Sequence, residues 1–477
     1  MKAKFSDYLS GIKVGLQQMI GILRKEYDYV SVLATDSHGF AARISQRSRS
    51  VAGKTMTTER GIVVRVCKSG QYAEYAFNKF DPSAPEKAAT EIAGALEAQL
   101  IMLKLAGVKT YKTPLLPDEE QTLFVEKETQ QLPETADIKA LVEKLGEISD
   151  KGMTLNENAI ECIVSAQSTH ISKMFLTEKR DLCQSYVYSE GAIFMVVNRE
   201  DNTQVAYESV SGLGGPELFE GLEGKLDKAA RTCAELLNAE RIEPGEYEII
   251  ASPEVTGLIA HEAFGHGVEM DMFVKNRALG RDYIGKRVGS DKCTMHEGAL
   301  CAENVTSYAF DDEGTLAGDV TEIDHGILKT GICDALSALR LGVQPTGNGK
   351  RENFEHKVYT RMTNTMFDSG TDSLEDMIAS IDHGYLLEGM ESGMEDPKHW
   401  GIQCIVQMGR EIRDGKLTGK VVSPVIMTGY VPDLLGSVTM VSRDREVFGN
   451  GGCGKGHKEW VKVADGGPCL KARARLG

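Results

Sequence analysis

The sequence has no uninterrupted apolar run of the roughly 18 residues that a membrane-spanning helix needs, so no such helix and no membrane partner is expected. It has no excess of positive charge. Lys and Arg number 54 against 70 Asp and Glu, a formal net charge of −16. A nucleic-acid backbone is therefore not an expected partner, because phosphate binding needs a basic face. It has no CxxC pair. Its cysteines are singletons at Cys67, Cys162, Cys183, Cys233, Cys293, Cys301, Cys333, Cys404, Cys453 and Cys469, the pattern of reduced thiols rather than of a disulfide framework. No repeat of fixed period and no low-complexity tract is present. The opening segment carries Lys2 and Lys4, but Asp7, Lys13 and Gln17 interrupt its apolar positions. It reads as an amphipathic helix, not as the apolar core of a signal peptide. Together these absences predict a cytoplasmic protein.

What is present is ordinary globular material, 41% hydrophobic and 26% charged over 477 residues, enough for two to three domains. The pattern predicts an α+β protein. Residues 1–112 read as an N-terminal α+β domain, with strands at Asp28–Leu33 and Gly61–Cys67 and a helix over Pro85–Leu105. Residues 113–244 read as a central α+β domain. It opens on a proline-containing excursion over Thr113–Glu134 and continues with a helix over Ala136–Ile148, strands near 160–168 and 185–198, and an amphipathic helix over Glu217–Ala239. Residues 245–477 read as an antiparallel β-rich domain, with a strand at Tyr247–Ala251 leading into a helix over Glu254–Val268.

That helix holds the informative hexapeptide, His261-Glu262-Ala263-Phe264-Gly265-His266. Zinc peptidases place two histidines one helical turn apart on one face, with a glutamate beside the first that acts on water. Here the spacing is one residue longer. On a regular helix the two rings would point roughly 140° apart, against roughly 40° for the i, i+4 pair. A π-type bulge would absorb the extra residue, and Gly265 would ease it. A second candidate is Cys453 in the glycine-rich stretch Gly449–Gly456. Thiolate is a good zinc ligand, and three protein ligands plus an open position is a catalytic pattern. Taken alone, that stretch reads better as a flexible turn with an incidental cysteine.

The two segments together resemble the TldD branch of the TldD/PmbA family. The matching residues are HEAFGHGVEMD at His261–Asp271, FDDEGT at Phe310–Thr315, RMTNT at Arg361–Thr365 and GGCGKG at Gly451–Gly456, with VVRV at Val63–Val66 less distinctive. The resemblance implies a zinc metallopeptidase that matures or degrades extended, unstructured peptides. It implies His261, His266 and Cys453 as the Zn2+ ligands and Glu262 as catalytic base. It also implies a cavity enclosed by two subunits, as a homodimer or as a heterodimer with a non-catalytic paralogue. The likeness spans most of the chain, and its specific motifs lie in the last 230 or so residues. The sequence departs from the family's usual ending after Cys453, where GKGHKEWVKVADGGPCLKARARLG is more basic and His457 stands where glutamine is common. That difference bears on the substrate channel or partner contact.

Three other readings compete. The dipeptidyl-peptidase III type also carries HExxxH but needs a downstream EExR, which is missing after His266. Cys293 and His296 are alternative ligands, ranked below Cys453. Gly449–Lys455 fits the start of a phosphate loop but lacks the final hydroxyl residue and a following helix. A non-catalytic zinc-binding modulator is the main alternative, and Glu262 argues against it, since a structural site has no use for that carboxylate. His38, His170, His325, His356, His383 and His399 read as surface or loop residues. Arg361 and Asn364 read equally as braces for the site and as part of a structural loop.

Overall fold

The computed structural model describes residues 1–107, 111–457 and 459–477. It is an α+β protein of two main sheets. The first has eight strands: β1 (Tyr29–Ile44), β2 (Arg49–Ala52), β3 (Arg60–Lys68), β4 (Gln71–Phe77), β5 (Gln121–Glu126), β6 (Ala159–Leu176), β7 (Arg180–Arg199) and β8 (Asn202–Leu213). The main path runs β4-β3-β1-β6-β7-β5, with β2 beside β1 and β8 beside β7.

Strands alternate faces, and this sheet uses the alternation fully. On one face the even-numbered residues Val30, Val32, Met174 and Leu176 meet helices α1 (Asp7–Leu23) and α2 (Pro85–Leu105). Further along the same face, Ala42, Ile44, Cys162 and Val164 meet α3 (Ile138–Thr154) and α4 (Leu226–Leu236). The odd-numbered residues Leu33, Ile171 and Phe175 turn to the other side and pack on residues beyond 298, including Phe310 and Tyr308.

The second sheet begins at β9 (Gly245–Ala251) and has eleven strands around the long strand Ala464–Leu476. That strand pairs antiparallel with β9 along its C-terminal half and parallel with Asn364–Phe367 near its start. The basic residues of the chain's end therefore belong to a central sheet strand. Lys471, for example, is paired with Glu248. Among the described residues no helix is long and apolar enough to cross a membrane.

Three expectations change. The division expected at 112/113 is not a division of the sheet, because β1 pairs with β6 from Val32↔Leu176 to Ile44↔Val164 and β5 pairs with β7. The β1–β6 pairing joins residues more than a hundred positions apart and the β5–β7 pairing residues 59 apart, both beyond the reach of local pattern. The excursion 113–134 accordingly contributes a strand, β5. The helix expected over 217–239 is α-helical only over Leu226–Leu236. The preceding residues form 3-10 turns over Pro216–Gly221 and Glu223–Lys225, with Pro216, Gly221 and Gly224 all poor helix-interior residues.

The motif FDDEGT joins the two sheets. Asp311 folds it, accepting from the backbone N–H of Glu313, Thr315 and Gly349. Asp312 pairs with Lys173, Glu313 with Arg65, and the Gly314 carbonyl accepts from Arg180. Arg65 also meets Glu74 at 2.8 Å, and Arg351 meets the same carboxylate at 3.2 Å. Two arginines outweigh burial there and hold the Glu74 carboxyl down to about 2.

Candidate metal centre

The strand β9 ends at Ala251, and the next residue, Ser252, caps the helix α5 (Pro253–Leu258) with its hydroxyl, accepting from Val255 N–H, with Pro253 in the first turn. The helix then widens. Residues Ile259–Phe264 form a π-type turn, and the Gly265 N–H bonds back to Ala260 C=O, five residues earlier. A 3-10 turn, Gly265–Val268, ends the element. The extra residue between the histidines is taken up by this bulge, and the His261 and His266 rings stand 5.1 Å apart and perpendicular. Gly265 serves in a different way from the one expected. Its φ of −56° is ordinary helix, so conformational freedom is not what is needed. A Cβ there would lie 2.2 Å from Met362 Sδ, so the missing side chain is what lets RMTNT pack against the bulge.

The same motif holds the other half of the site. Arg361 is fully buried, and its guanidinium donates to the carbonyls of Cys453 and Glu459. Those residues lie on the two strands of one hairpin, Gly452–Lys455 and Glu459–Lys462. Lys350 adds bonds to the carbonyls of Met362 and Lys462. Arg361 thus braces the hairpin. Asn364 works elsewhere, tying its strand to Gly298, Thr306 and Ser307.

These supports bring one nitrogen each of His261 and His266, and the sulfur of Cys453, within 4.8 Å of one another. His266 Nε2 is 3.5 Å from Cys453 Sγ and 3.8 Å from a Glu262 carboxylate oxygen. On the other side of its ring, Nδ1 lies 3.1 Å from Glu269. Lys455, two residues after Cys453, clamps Glu269 at 2.9 Å and Asp271 at 2.7 Å. A carboxylate behind a ligand histidine orients the ring and raises its basicity. His261 Nδ1 is buried and, among the described residues, has no hydrogen-bond partner. It faces Asp465 Oδ2 at 3.8 Å, and Asp465 Oδ1 is likewise unpartnered.

The electrostatics follow from this crowding. Burial alone would raise the Cys453 thiol, but His266 and His261 hold it well below the usual thiol range. Burial lowers the His266 imidazole, and Cys453 with Glu269 reverses this and carries it well up. Burial pushes Glu262 above the usual carboxylate range, against the pull of both histidines, and takes Asp465 up to about 6. The donor set is thus a thiolate and two imidazoles, which suits zinc among divalent ions. The orphaned His261 Nδ1 and Asp465 mark a buried polar site not satisfied by the protein's own groups.

The other candidates lie apart. Cys293 is buried against the Leu435 carbonyl, and His296 is paired with Asp319 and Asp368. The stretch after Gly456 continues as a strand, Glu459–Lys462, which rules out the helix of a phosphate loop. Sequence reasoning missed Glu269, Lys455 and Asp465. Lys455 carried a signal, since alternate residues of an extended strand share a face with Cys453.

Fold and site together define a class. Residues 244–465 match the PmbA/TldA metallopeptidase C-terminal domain. Over 477 residues the chain is 28% identical to a metalloprotease of Synechocystis sp., covering 98% of each. It is 27% identical over 290 residues to a zinc metalloprotease TldD homolog of Saccharolobus solfataricus, 60% of this chain and 64% of that one. In fold it is similar to TldE from Thermococcus kodakarensis, with a TM-score of 0.76 at 18% identity over 97% of this chain and 100% of that one. Residues 244–465 thus carry the metallopeptidase domain of the PmbA/TldD type, and over its full length the chain is similar to metalloproteases.

Proposed function

We propose that this chain is a zinc-dependent peptidase acting on extended peptides, with His261, His266 and Cys453 holding the ion and Glu262 acting as general base. The observation that carries the reading is the meeting of three donor atoms within 4.8 Å, with the Glu262 carboxylate 3.8 Å from His266 Nε2. Bound there, zinc supplies polarisation of the scissile carbonyl and acidification of water. Glu262 takes the proton of the attacking water and delivers it to the leaving amine. Burial raises its affinity for that proton, which suits a base working near neutral pH. Glu269 and Lys455 keep the His266 ring in place throughout.

A cavity of about 490 Å³ lies beside the Cys453 hairpin, lined by Gly452, Trp460, Phe194 and Met56 among others. It supports a substrate that lies along the hairpin in extended form, held by its backbone. The active assembly is a homodimer or a heterodimer with a non-catalytic paralogue, a reading supported by the fold likeness to TldE. Ten free thiols support a reducing, cytoplasmic setting.

The test is cleavage of an unstructured peptide mixture, read by mass spectrometry, with any partner subunit supplied. Glu262→Gln keeps size and polarity, so zinc content is expected to stay while the rate falls by about 10²–10⁴. His261→Ala is expected to lose zinc and rate together. Unchanged cleavage by Glu262→Gln removes Glu262 as base. A zinc-loaded wild type that cleaves nothing makes the protein a zinc-binding modulator instead.

A further inference from the structure

A second histidine cluster lies on the first sheet, far from the motifs that define the family. His38 of β1 and His170 of β6 are direct cross-strand partners. Both are even-numbered, so both sit on the helix-covered face, in the gap between the α1/α2 and α3/α4 pairs. Their rings are 4.8 Å apart. Both are in strands; His38 is exposed, as its reading as a surface residue expects, whereas the His170 side chain is only 3% exposed, contrary to the same reading. The carboxylate of Glu134 arrives from the 3-10 turn Pro133–Thr135, anchored by the buried Leu132 and Pro133. One of its oxygens is 3.0 Å from His170 Nδ1 and the other 3.3 Å from His38 Nε2.

The hydrogen bonds behind His170 decide what its Nδ1 can be. Ser185 Oγ donates to the Lys4 carbonyl at 3.2 Å. The same hydroxyl lies 2.9 Å from Ser172 Oγ and 2.9 Å from His170 Nε2. With the ring proton on Nε2 and given to Ser185, Nδ1 turns a lone pair toward Glu134 at 3.0 Å, the arrangement in which a cation is shared between the two acceptors.

We propose that His38, Glu134 and His170 form a second divalent-metal site, of the zinc class, that clips the 113–137 segment to β1 and β6. Two donors each about 2.0–2.1 Å from a tetrahedral ion lie about 3.3 Å apart; here each nitrogen lies 3.0–3.3 Å from one oxygen of the carboxylate, and one donor atom from each of the three residues lies within 4.8 Å of the others. Two imidazoles and one carboxylate favour zinc, cobalt or nickel over calcium and magnesium, which prefer all-oxygen shells. The Ser185 bond to the far nitrogen of His170 is the kind of contact that fixes a ligand ring. His38 and Glu134 are 50% and 38% exposed, leaving room for water in the remaining positions. The inference does not depend on the Cys453 centre.

The experiment is a zinc titration of metal-free protein against a chromophoric chelator, on wild type, Cys453→Ala, His38→Ala and Glu134→Gln. Two equivalents are expected in wild type, one in each single variant, and none in Cys453→Ala combined with His38→Ala. With cobalt, His38→Ala is expected to keep the sulfur-to-metal charge-transfer band and lose the absorption of the second equivalent. The half-exposed His38 and the shape-conserving Glu134→Gln keep the fold, checked by circular dichroism. A single equivalent in wild type that His38→Ala leaves unchanged overturns the proposal, and the shared cation is then a proton. A second equivalent that survives both His38→Ala and Glu134→Gln overturns it equally.

Discussion

Beside the second sheet, on a distorted helix and a separate hairpin, two imidazoles face a buried thiol, while on the first sheet two imidazoles face a half-exposed carboxylate. The fold reaches the two arrangements by different means. His261 and His266 are close in sequence and meet through a distorted helix, whereas His38 and His170 meet only because β1 and β6 pair in one register. The supports differ too. Behind His266 stands a charged relay, Glu269 and Lys455, and behind His170 a serine hydroxyl. A buried site with unpartnered polar atoms, such as His261 Nδ1 and Asp465 Oδ1, retains capacity for a ligand and for chemistry. An open site with a carboxylate suits a clip.

The comparison can be sharpened first at the joint between the sheets. Glu74→Gln removes a carboxylate held between Arg65 and Arg351. The folded-state pKa of Glu74 is depressed to about 2. Its stabilisation is therefore full above the ordinary carboxylate pKa, about 4.3, and is lost as pH falls from there toward about 2. A depression of this size corresponds to about 3 kcal/mol. The variant is expected to be less stable by about that amount near neutral pH in denaturant unfolding, with the gap to wild type closing on acidification. A gap that stays constant down to the acid end would show that Glu74 does not carry the joint.

A smaller effect separates the two supports. Glu269→Gln removes the charge behind His266 but none of the three donors. Zinc affinity at the Cys453 centre is expected to fall about 10–100-fold, as for other carboxylates that orient a ligand histidine. Chelator competition measures it, and binding at the His38 cluster serves as the internal control. Equal weakening at both clusters would mean that the substitution acts through the fold.

The Cys453 centre could be read almost whole from the sequence, and the reason is locality. HExxxH predicts its own bulge, because the spacing fails on a regular helix. The second partner of the site lay in a distinctive motif whose hairpin needs only nearby residues. Asp465 escaped because it reaches His261 through a long strand laid parallel to Asn364–Phe367, a pairing set by tertiary structure. His38 and His170 escaped for the same reason. Each looks solitary in sequence, and their meeting depends on a register fixed 132 residues apart. The sheet that unites the two expected N-terminal domains rests on that same pairing.

The central claim is that the ion sits on His261, His266 and Cys453. Zinc K-edge absorption on protein loaded with one equivalent tests it most directly. The account predicts one sulfur at about 2.3 Å with nitrogen or oxygen at about 2.0–2.1 Å, and loss of the sulfur scatterer in Cys453→Ala. A shell of nitrogen and oxygen alone in the wild type would contradict it.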